Sequence, residues 1–335
     1  MTETRLTYEE QLDELKRYIE AGDDFLVVSH VNPDGDAISS TVAVGWLLST
    51  LGKSYTMMNE GPTPRKFDYL WGARSIVDLS SSEHDRQYRY VIAVDCADYS
   101  RVGKASTHIA EEAQIANIDH HPTNDHYGNV QLIRSDAAAT AEILYDLLER
   151  FSIEWTETIA TCIYTGLLTD TGGFRYSNTT ANVMQIASKL LTYDVKATEL
   201  TEHLLERMSK PHVALLRRAL NTLRYNDDQT VCWLSVHLTD MAETNAANED
   251  LEGLVHYPRN IEGVEVGILF KEVRENVYKV SLRSTGHADV SRIAQLYGGG
   301  GHVRAAGCTI EGKLEDTIRS VVTEVEKGLK ANGSV

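Results

Sequence analysis

Two short stretches of the 335-residue chain concentrate acids and imidazoles: His30-Val31-Asn32-Pro33-Asp34-Gly35-Asp36-Ala37 and Asp119-His120-His121. Each follows an apolar run with strand character, Phe25 to Ser29 and Gln114 to Ile118. Together they offer three carboxylates and three imidazoles at strand ends. That inventory suits a pair of divalent cations better than a single ion or a proton relay. Two ions held by mixed Asp and His ligands are a standard device for hydrolysing a phosphoester.

Each group has a plainer reading beside the chemical one. Pro33 stiffens the turn after His30, and Gly35 lets it bend between two acids. Asp34 and Asp36 stand two apart in an extended turn, so they need not point the same way and could serve two ions. Both are also good helix caps, as is Asn32; His30 tilts the balance toward metal. Asp95 ends the apolar run Tyr90 to Val94 and, alone, reads as an ordinary strand-end aspartate with Asp98 as a loop cap. The adjacent imidazoles of His120 and His121 diverge, so one could ligate while the other faces a substrate. Asp119 could accept a ring N–H and fix the tautomer of a ligand histidine. His84 and His126 read as loop histidines. Asp170 closes the helical run in Gly166 to Phe174; Gly172 and Gly173 punctuate it, but an acid there is unfavourable unless a cation offsets it.

Late in the chain, Gly298-Gly299-Gly300-Gly301-His302 exposes backbone N–H groups to a close anion. A glycine-rich loop is by itself a flexible turn. His302 and the nearby Arg283-Ser284 favour a phosphate or nucleotide grip, with Arg259 and Arg101 as further anion contacts against a default of solvated arginines.

The elements that must position these groups alternate in the first half. Helical spacing runs over Tyr8 to Ala21, Asp36 to Leu51 and Val102 to Ala113; strands run over Phe25 to Ser29, Tyr55 to Asn59, Tyr90 to Val94, Gln114 to Ile118 and Val130 to Ile133. This predicts an α/β domain, a parallel sheet with helices on both faces, whose ligands bind beyond the carboxyl ends of the strands. Helices then follow over Thr140 to Phe151, Glu157 to Leu168, Ala181 to Leu191, Thr198 to Arg207 and Pro211 to Tyr225. Strands at Thr230 to Val236, Val264 to Phe270 and Val277 to Arg283, with a closing helix over Leu314 to Leu329, predict a smaller α+β domain. The expected division is 1–208, a connecting helix and linker over 209–228, and 229–335.

Composition bounds the function. Hydrophobic residues make up 42% and charged residues 24%, as in a soluble globular chain. No apolar run reaches a membrane span, and Met1 to Gly22 is charged and helix-like rather than a signal peptide, so a cytoplasmic address is expected with no membrane partner. The four cysteines are widely spaced and read as reduced, buried thiols. A net charge of −17 and the lack of a basic patch argue against a long nucleic acid as partner.

Taken in order, the HxNPDxDA stretch at His30 to Ala37, VDCAD at Val94 to Asp98, the DHH triplet, TDTGGF at Thr169 to Phe174 and GGGGHVRAAG at Gly298 to Gly307 resemble the DHH/DHHA1 phosphoesterase superfamily over nearly the whole chain. The lack of appended modules looks most like its stand-alone oligoribonuclease branch. The resemblance implies two divalent ions, usually Mn²⁺, with Mg²⁺ or Co²⁺ as substitutes. It implies that His30, Asp34 and Asp95 hold one ion, and that Asp36, Asp95, His120 and Asp170 hold the other. Asp95 bridges, and His121 contacts the scissile phosphate. Arg283, Ser284 and His302, with Gly299, Gly300 and Gly301 beside them, would bind the distal phosphate or base. The implied substrates are short oligoribonucleotides, cut from an end, and mononucleotide bisphosphates such as 3′-phosphoadenosine 5′-phosphate; a homodimer is compatible. A phosphodiesterase of pApA or cyclic di-AMP is the alternative within the family. A pyrophosphatase is disfavoured by the glycine loop with His302. A non-catalytic nucleotide sensor would be expected to lose ligands, and none is missing.

Overall fold

A computed structural model describes residues 6–286 and 288–332, with the side chains of residues 331 and 332 left aside. The first five residues of the charged opening segment lie outside the described residues. The chain divides into two compact units, Met1–Arg207 and Met208–Val335.

In the first unit, α1 (Tyr8–Ala21) starts at a capping box between Thr7 and Glu10 and buries the stripe Leu12, Leu15 and Ile19. There follow β1 (Phe25–Val28), α2 (Gly35–Thr50), β2 (Tyr55–Asn59), β3 (Val77–Asp78), β4 (Tyr88–Val94), β5 (Ile109–Asp119) and β6 (Val130–Ile133). The helices α3 (Thr140–Arg150), α4 (Glu157–Asp170), α5 (Ala181–Leu191) and α6 (Ala197–Thr201) complete it. The strands lie in the order β3-β2-β1-β4-β5-β6, every pair parallel. The chain winds outward from β1 to β3, then returns to β4 and winds the other way. That reversal opens a crevice between the carboxyl ends of β1 and β4, where doubly wound sheets bind ligands.

Reversing direction with right-handed crossovers puts successive connections on opposite faces. One face carries α1 to α5 over Phe25, Val27, Ile92, Val94 and Ile118. The other, over Leu26, Val28, Val91 and Ala93, is covered by Val102 and Ala105 of the 3₁₀ segment Tyr99–His108. The α-helix expected over Val102 to Ala113 is therefore not formed. Gly103 breaks the segment with φ 64°, and Ile109 to Ala113 extend into β5. The pairing explains why: Tyr88 faces Ile109 and Tyr90 faces Gln114, so four β5 residues bulge against one of β4.

The second unit contains α7 (Lys210–Asn221), β7 (Arg224–Tyr225), β8 (Val231–Val236), α8 (Leu238–Thr244), α9 (His256–Arg259), β9 (Val266–Arg274), β10 (Val277–Ser284), α10 (Val290–Gln295), β11 (Gly300–His302), β12 (Ala305–Glu311) and α11 (Leu314–Asn332). Its sheet runs β11-β12-β10-β9-β8-β7, with only β8 and β9 parallel. The two faces alternate along each strand. Ile268, Phe270, Val280 and Leu282 pack on Val290, Ile293, Val321 and Val325 of α10 and α11. Leu234, Val236 and Leu269 pack on Leu215 and Ala219 of α7. The helix expected over Pro211 to Tyr225 thus ends at Asn221 and packs within this unit, and Arg224 and Tyr225 pair with β8. The glycine-rich segment is not a free loop: Gly300 to His302 form the edge strand β11 on β12. No helix among the described residues is long and apolar enough to cross a membrane. Cys96, Cys162, Cys232 and Cys308 are free and buried.

Candidate metal centre

The crevice between β1 and β4 gathers seven of the acids and imidazoles singled out above. They form three groups, within each of which the potential ligand atoms all lie within 4.8 Å of one another: His30, Asp34 and Asp95; Asp95, His120 and His121; Asp36, His120 and Asp170. Asp95 is common to the first two and His120 to the last two, so the groups form one continuous cluster.

Its imidazoles are aimed by the backbone. His30 Nδ1 lies 2.9 Å from the Val31 carbonyl and His120 Nδ1 lies 3.2 Å from the Ala137 carbonyl. A carbonyl only accepts, so each Nδ1 carries the proton and each Nε2 turns inward. His30 Nε2 is 3.5 Å from Asp95 Oδ2; His120 Nε2 is 3.6 Å from Asp95 Oδ1 and 3.4 Å from Asp170 Oδ2. Asp119 accepts the ring N–H of His121, from Nδ1 at 2.8 Å. Asp119 is fully buried and also accepts from Asn124 Nδ2 at 2.7 Å, which in turn reaches Asn117 Oδ1 at 2.8 Å. His121 is thereby fixed with its Nε2 uncommitted to Asp119.

The carboxylates are held just as firmly. Asp95 follows β4 with φ 52°, a left-handed turn that a buried aspartate adopts only under constraint, and its N–H donates to the Ile118 carbonyl. Asp34 caps α2, with Oδ1 accepting from the N–H of Asp36 and of Ala37 at 3.1 and 3.2 Å. Capping and closeness to His30 and Asp95 thus coexist in this one side chain. Asp36 points across to the start of α3, where Oδ2 accepts from the Thr140 N–H at 2.6 Å and Oδ1 from the Ala141 N–H at 3.0 Å. The Thr140 hydroxyl donates to Asp95 Oδ1 at 3.1 Å. Gly35 is the first residue of α2 and serves close packing rather than a bend: a Cβ there would lie 2.5 Å from Thr169. Asp170 ends α4, and Gly172 and Gly173 follow with φ of 57° and 72° as helix punctuation.

The electrostatics are those of a site built for a cation. Burial pushes the Asp36 carboxyl up to about 7, helped by the charge of Asp95. Burial and the charges of Asp36, Asp34 and Asp95 raise Asp170 well above the usual range. Burial opposes the charge on Asp95 too, but the hydrogen bond with His30 and the imidazoles of His30, His120 and His121 hold it well below. Burial likewise lowers those three imidazoles, and the surrounding carboxylates outweigh it and raise them. Carboxylates that repel one another this strongly at a strand end, beside inward Nε2 atoms, fit divalent ions.

Arg101 stands beside this cluster: its carbonyl accepts the Val31 N–H at 2.8 Å and its charge opposes protonation of His30. The other candidate anion contacts belong to the second unit. His302, Ala305, Arg283 and Gly267 form one lateral row across β11, β12, β10 and β9, so His302 and Arg283 share a sheet face. The Arg259 backbone lies over Gly267 on that same face, 2.4 Å from where a Cβ would stand. Ser284 does not stand with Arg283. Strand alternation turns it to the opposite face, where it is buried and its hydroxyl donates to the Ala288 carbonyl at 2.8 Å. Gly299 and Gly301 are needed for close approach, since a Cβ would meet the Gly307 carbonyl at 2.2 Å and the Ala305 carbonyl at 2.5 Å.

Three residues escaped the sequence reading: Thr140, Asn117 and Asn124. Asn117 carried a signal, a lone amide between Ala116 and Ile118 inside an apolar strand. Thr140 carried none, because its partners Asp36 and Asp95 are distant in the chain; Asn124 lies near its partners Asn117 and Asp119, but its polar loop gives no sign of the contact.

Comparison with known proteins identifies two family domains along the chain. The DHH family, N-terminal domain, matches residues 24–167 and the DHHA1 domain matches residues 228–330. The Thermus thermophilus bifunctional oligoribonuclease and PAP phosphatase NrnA is 34% identical, over 92% of this chain and 90% of its own. The Bacillus subtilis protein of the same name is 26% identical, over 89% and 92%. An exopolyphosphatase-related protein from Bacteroides fragilis shares the fold, with a TM-score of 0.88 at 24% identity over 98% of both chains. With both domains matched in order and a relative this similar over nearly its full length, the chain belongs to the DHH/DHHA1 family of phosphoester hydrolases.

Proposed function

We propose that the chain is a metal-dependent phosphoesterase of short nucleotides. It removes residues from the end of oligoribonucleotides of about two to five units, a length at which few phosphates need neutralising, and dephosphorylates 3′-phosphoadenosine 5′-phosphate to AMP. The observation that carries the reading is the continuous cluster in which Asp95 and His120 are each shared between groups of potential ligands. The names of the Thermus and Bacillus relatives support the substrate class.

In this reading His30, Asp34 and Asp95 hold one ion, and Asp36, Asp95, His120 and Asp170 hold the other. Manganese is the ion proposed, because mixed imidazole and carboxylate donors suit it better than magnesium. When bound, the ions supply charge neutralisation at the phosphoryl oxygens and acidify a water. The chain's own groups do the rest. Asp95 is the shared carboxylate and Asp119 orients His121, which binds a phosphoryl oxygen through its second nitrogen. Arg101 adds positive charge near His30. On the second unit, Arg283 and His302 bind the distal phosphate or base, with Gly299 to Gly301 keeping side chains out of the way and Arg259 alongside.

The test is one panel with purified protein and Mn²⁺: 3′-phosphoadenosine 5′-phosphate, a dinucleotide, an RNA of about twenty residues, pApA, cyclic di-AMP and pyrophosphate. The expected result is fastest turnover of the bisphosphate and the dinucleotide, falling with length, and a salt dependence shallower than that of a protein contacting about six phosphates. Equal rates on the long RNA and the dinucleotide would overturn the short-substrate reading. Preference for cyclic di-AMP would move the chain to the alternative within its family.

A further inference from the structure

The helix α3 has no side-chain cap of its own, because alanine occupies its N-cap at Ala139. Its first N–H groups are instead satisfied by Asp36 of α2, across the site. One residue of that first turn reaches two carboxylates of the cluster, Asp36 and Asp95. Thr140 is fully buried, its N–H donates to Asp36 Oδ2 at 2.6 Å, and its hydroxyl donates to Asp95 Oδ1 at 3.1 Å. The donor atoms belong to one helical residue, so covalent geometry and one χ1 rotamer fix the spacing between them. The hydroxyl has a single proton, and giving it to Asp95 Oδ1 orients that carboxylate with Oδ2 toward His30.

We propose that Thr140 is a positioning residue that sets Asp36 against Asp95 and so couples the two ion subsites; this rests on the metal-centre reading above. A residue that merely starts a helix needs only its backbone N–H. A positioning residue needs the hydroxyl, which valine lacks at nearly the same shape.

The experiment is Mn²⁺ uptake without substrate, followed by the loss of the free-ion resonance signal, in the full chain and its Thr140→Val and Thr140→Ser variants. Thr140→Val should bind Mn²⁺ about 10- to 100-fold more weakly, the usual effect of removing a hydrogen bond to a ligand, and Thr140→Ser should restore uptake. Uptake by Thr140→Val equal to wild type overturns the inference. Should that variant fail to fold by circular dichroism, Thr140→Ala against Thr140→Ser decides: equal affinity overturns the inference and loss rescued by serine supports it. A wild-type chain that takes up no ions would overturn the metal-centre reading and the inference with it.

Discussion

Gly166 lies inside α4, one turn before Asp170, on the side that meets α2 and α3. A Cβ there would stand 2.5 Å from Ala141 Cβ, 2.6 Å from Asp36 Oδ1 and 2.6 Å from Ser39 Oγ. Ordinary contact begins at 3.4 Å, so Gly166→Ala requires α4 to move by about 0.9 Å, 3.4 less 2.5. Two effects then oppose each other. Helix propensity favours alanine over glycine by about 1 kcal/mol. Overpacking costs about 1–3 kcal/mol, and the upper end applies because the obstructing atoms belong to buried residues, one of them a carboxylate held by two backbone N–H groups. The net is roughly 2 kcal/mol of destabilisation, or a Tm lower by about 4–8 °C for a unit of this size. The same displacement moves Asp170 away from Asp36 and His120, so Mn²⁺ uptake should weaken in parallel. Calorimetry and metal titration on the purified variant check both effects. A Tm equal to or above wild type, with unchanged ion affinity, would refute the close-packing argument, because propensity alone would then have decided the outcome.

Further outcomes follow from the same geometry. Asp95→Asn should abolish turnover and weaken both ions, since an amide is no substitute for a carboxylate shared between them; metal analysis finding two fully bound ions and near-normal turnover would remove Asp95 from the site. His121→Ala should lower the rate far more than the metal content, because its Nδ1 is committed to Asp119; metal loss as severe as in His120→Ala would exchange or merge their roles. Arg283→Ala and His302→Ala should chiefly raise KM and spare metal uptake, the signature of lost uniform binding; unchanged KM for every nucleotide in the panel would take that sheet face out of substrate binding.

Much of the fold was legible locally. Alternation, caps and apolar runs placed α1, β2, β6 and α5 at the limits observed, and marked His30, Asp95 and Asp119 to His121 as strand-end residues. These features depend on near neighbours, through helix period, β-branched runs and capping, so a linear reading reaches them. Features set by pairing were not legible. Ile109 to Ala113 look helical until β4 forces a bulge, the glycine-rich segment looks like a loop until β12 pairs with it, and Arg283-Ser284 looks like a joint grip until the pleat turns the two apart.

The same division runs through the site. Residue chemistry and order in the chain named the acids and imidazoles and the ions they suit. Tertiary structure decided which group meets which. Gly35 and Gly166 let α2 and α4 approach, Asp36 caps a helix more than a hundred residues away, Asp119 holds His121, and Thr140 joins two carboxylates. The reason is physical. A side chain's type is a local property, but its partner is fixed by helix separation and strand register, which the whole buried core determines.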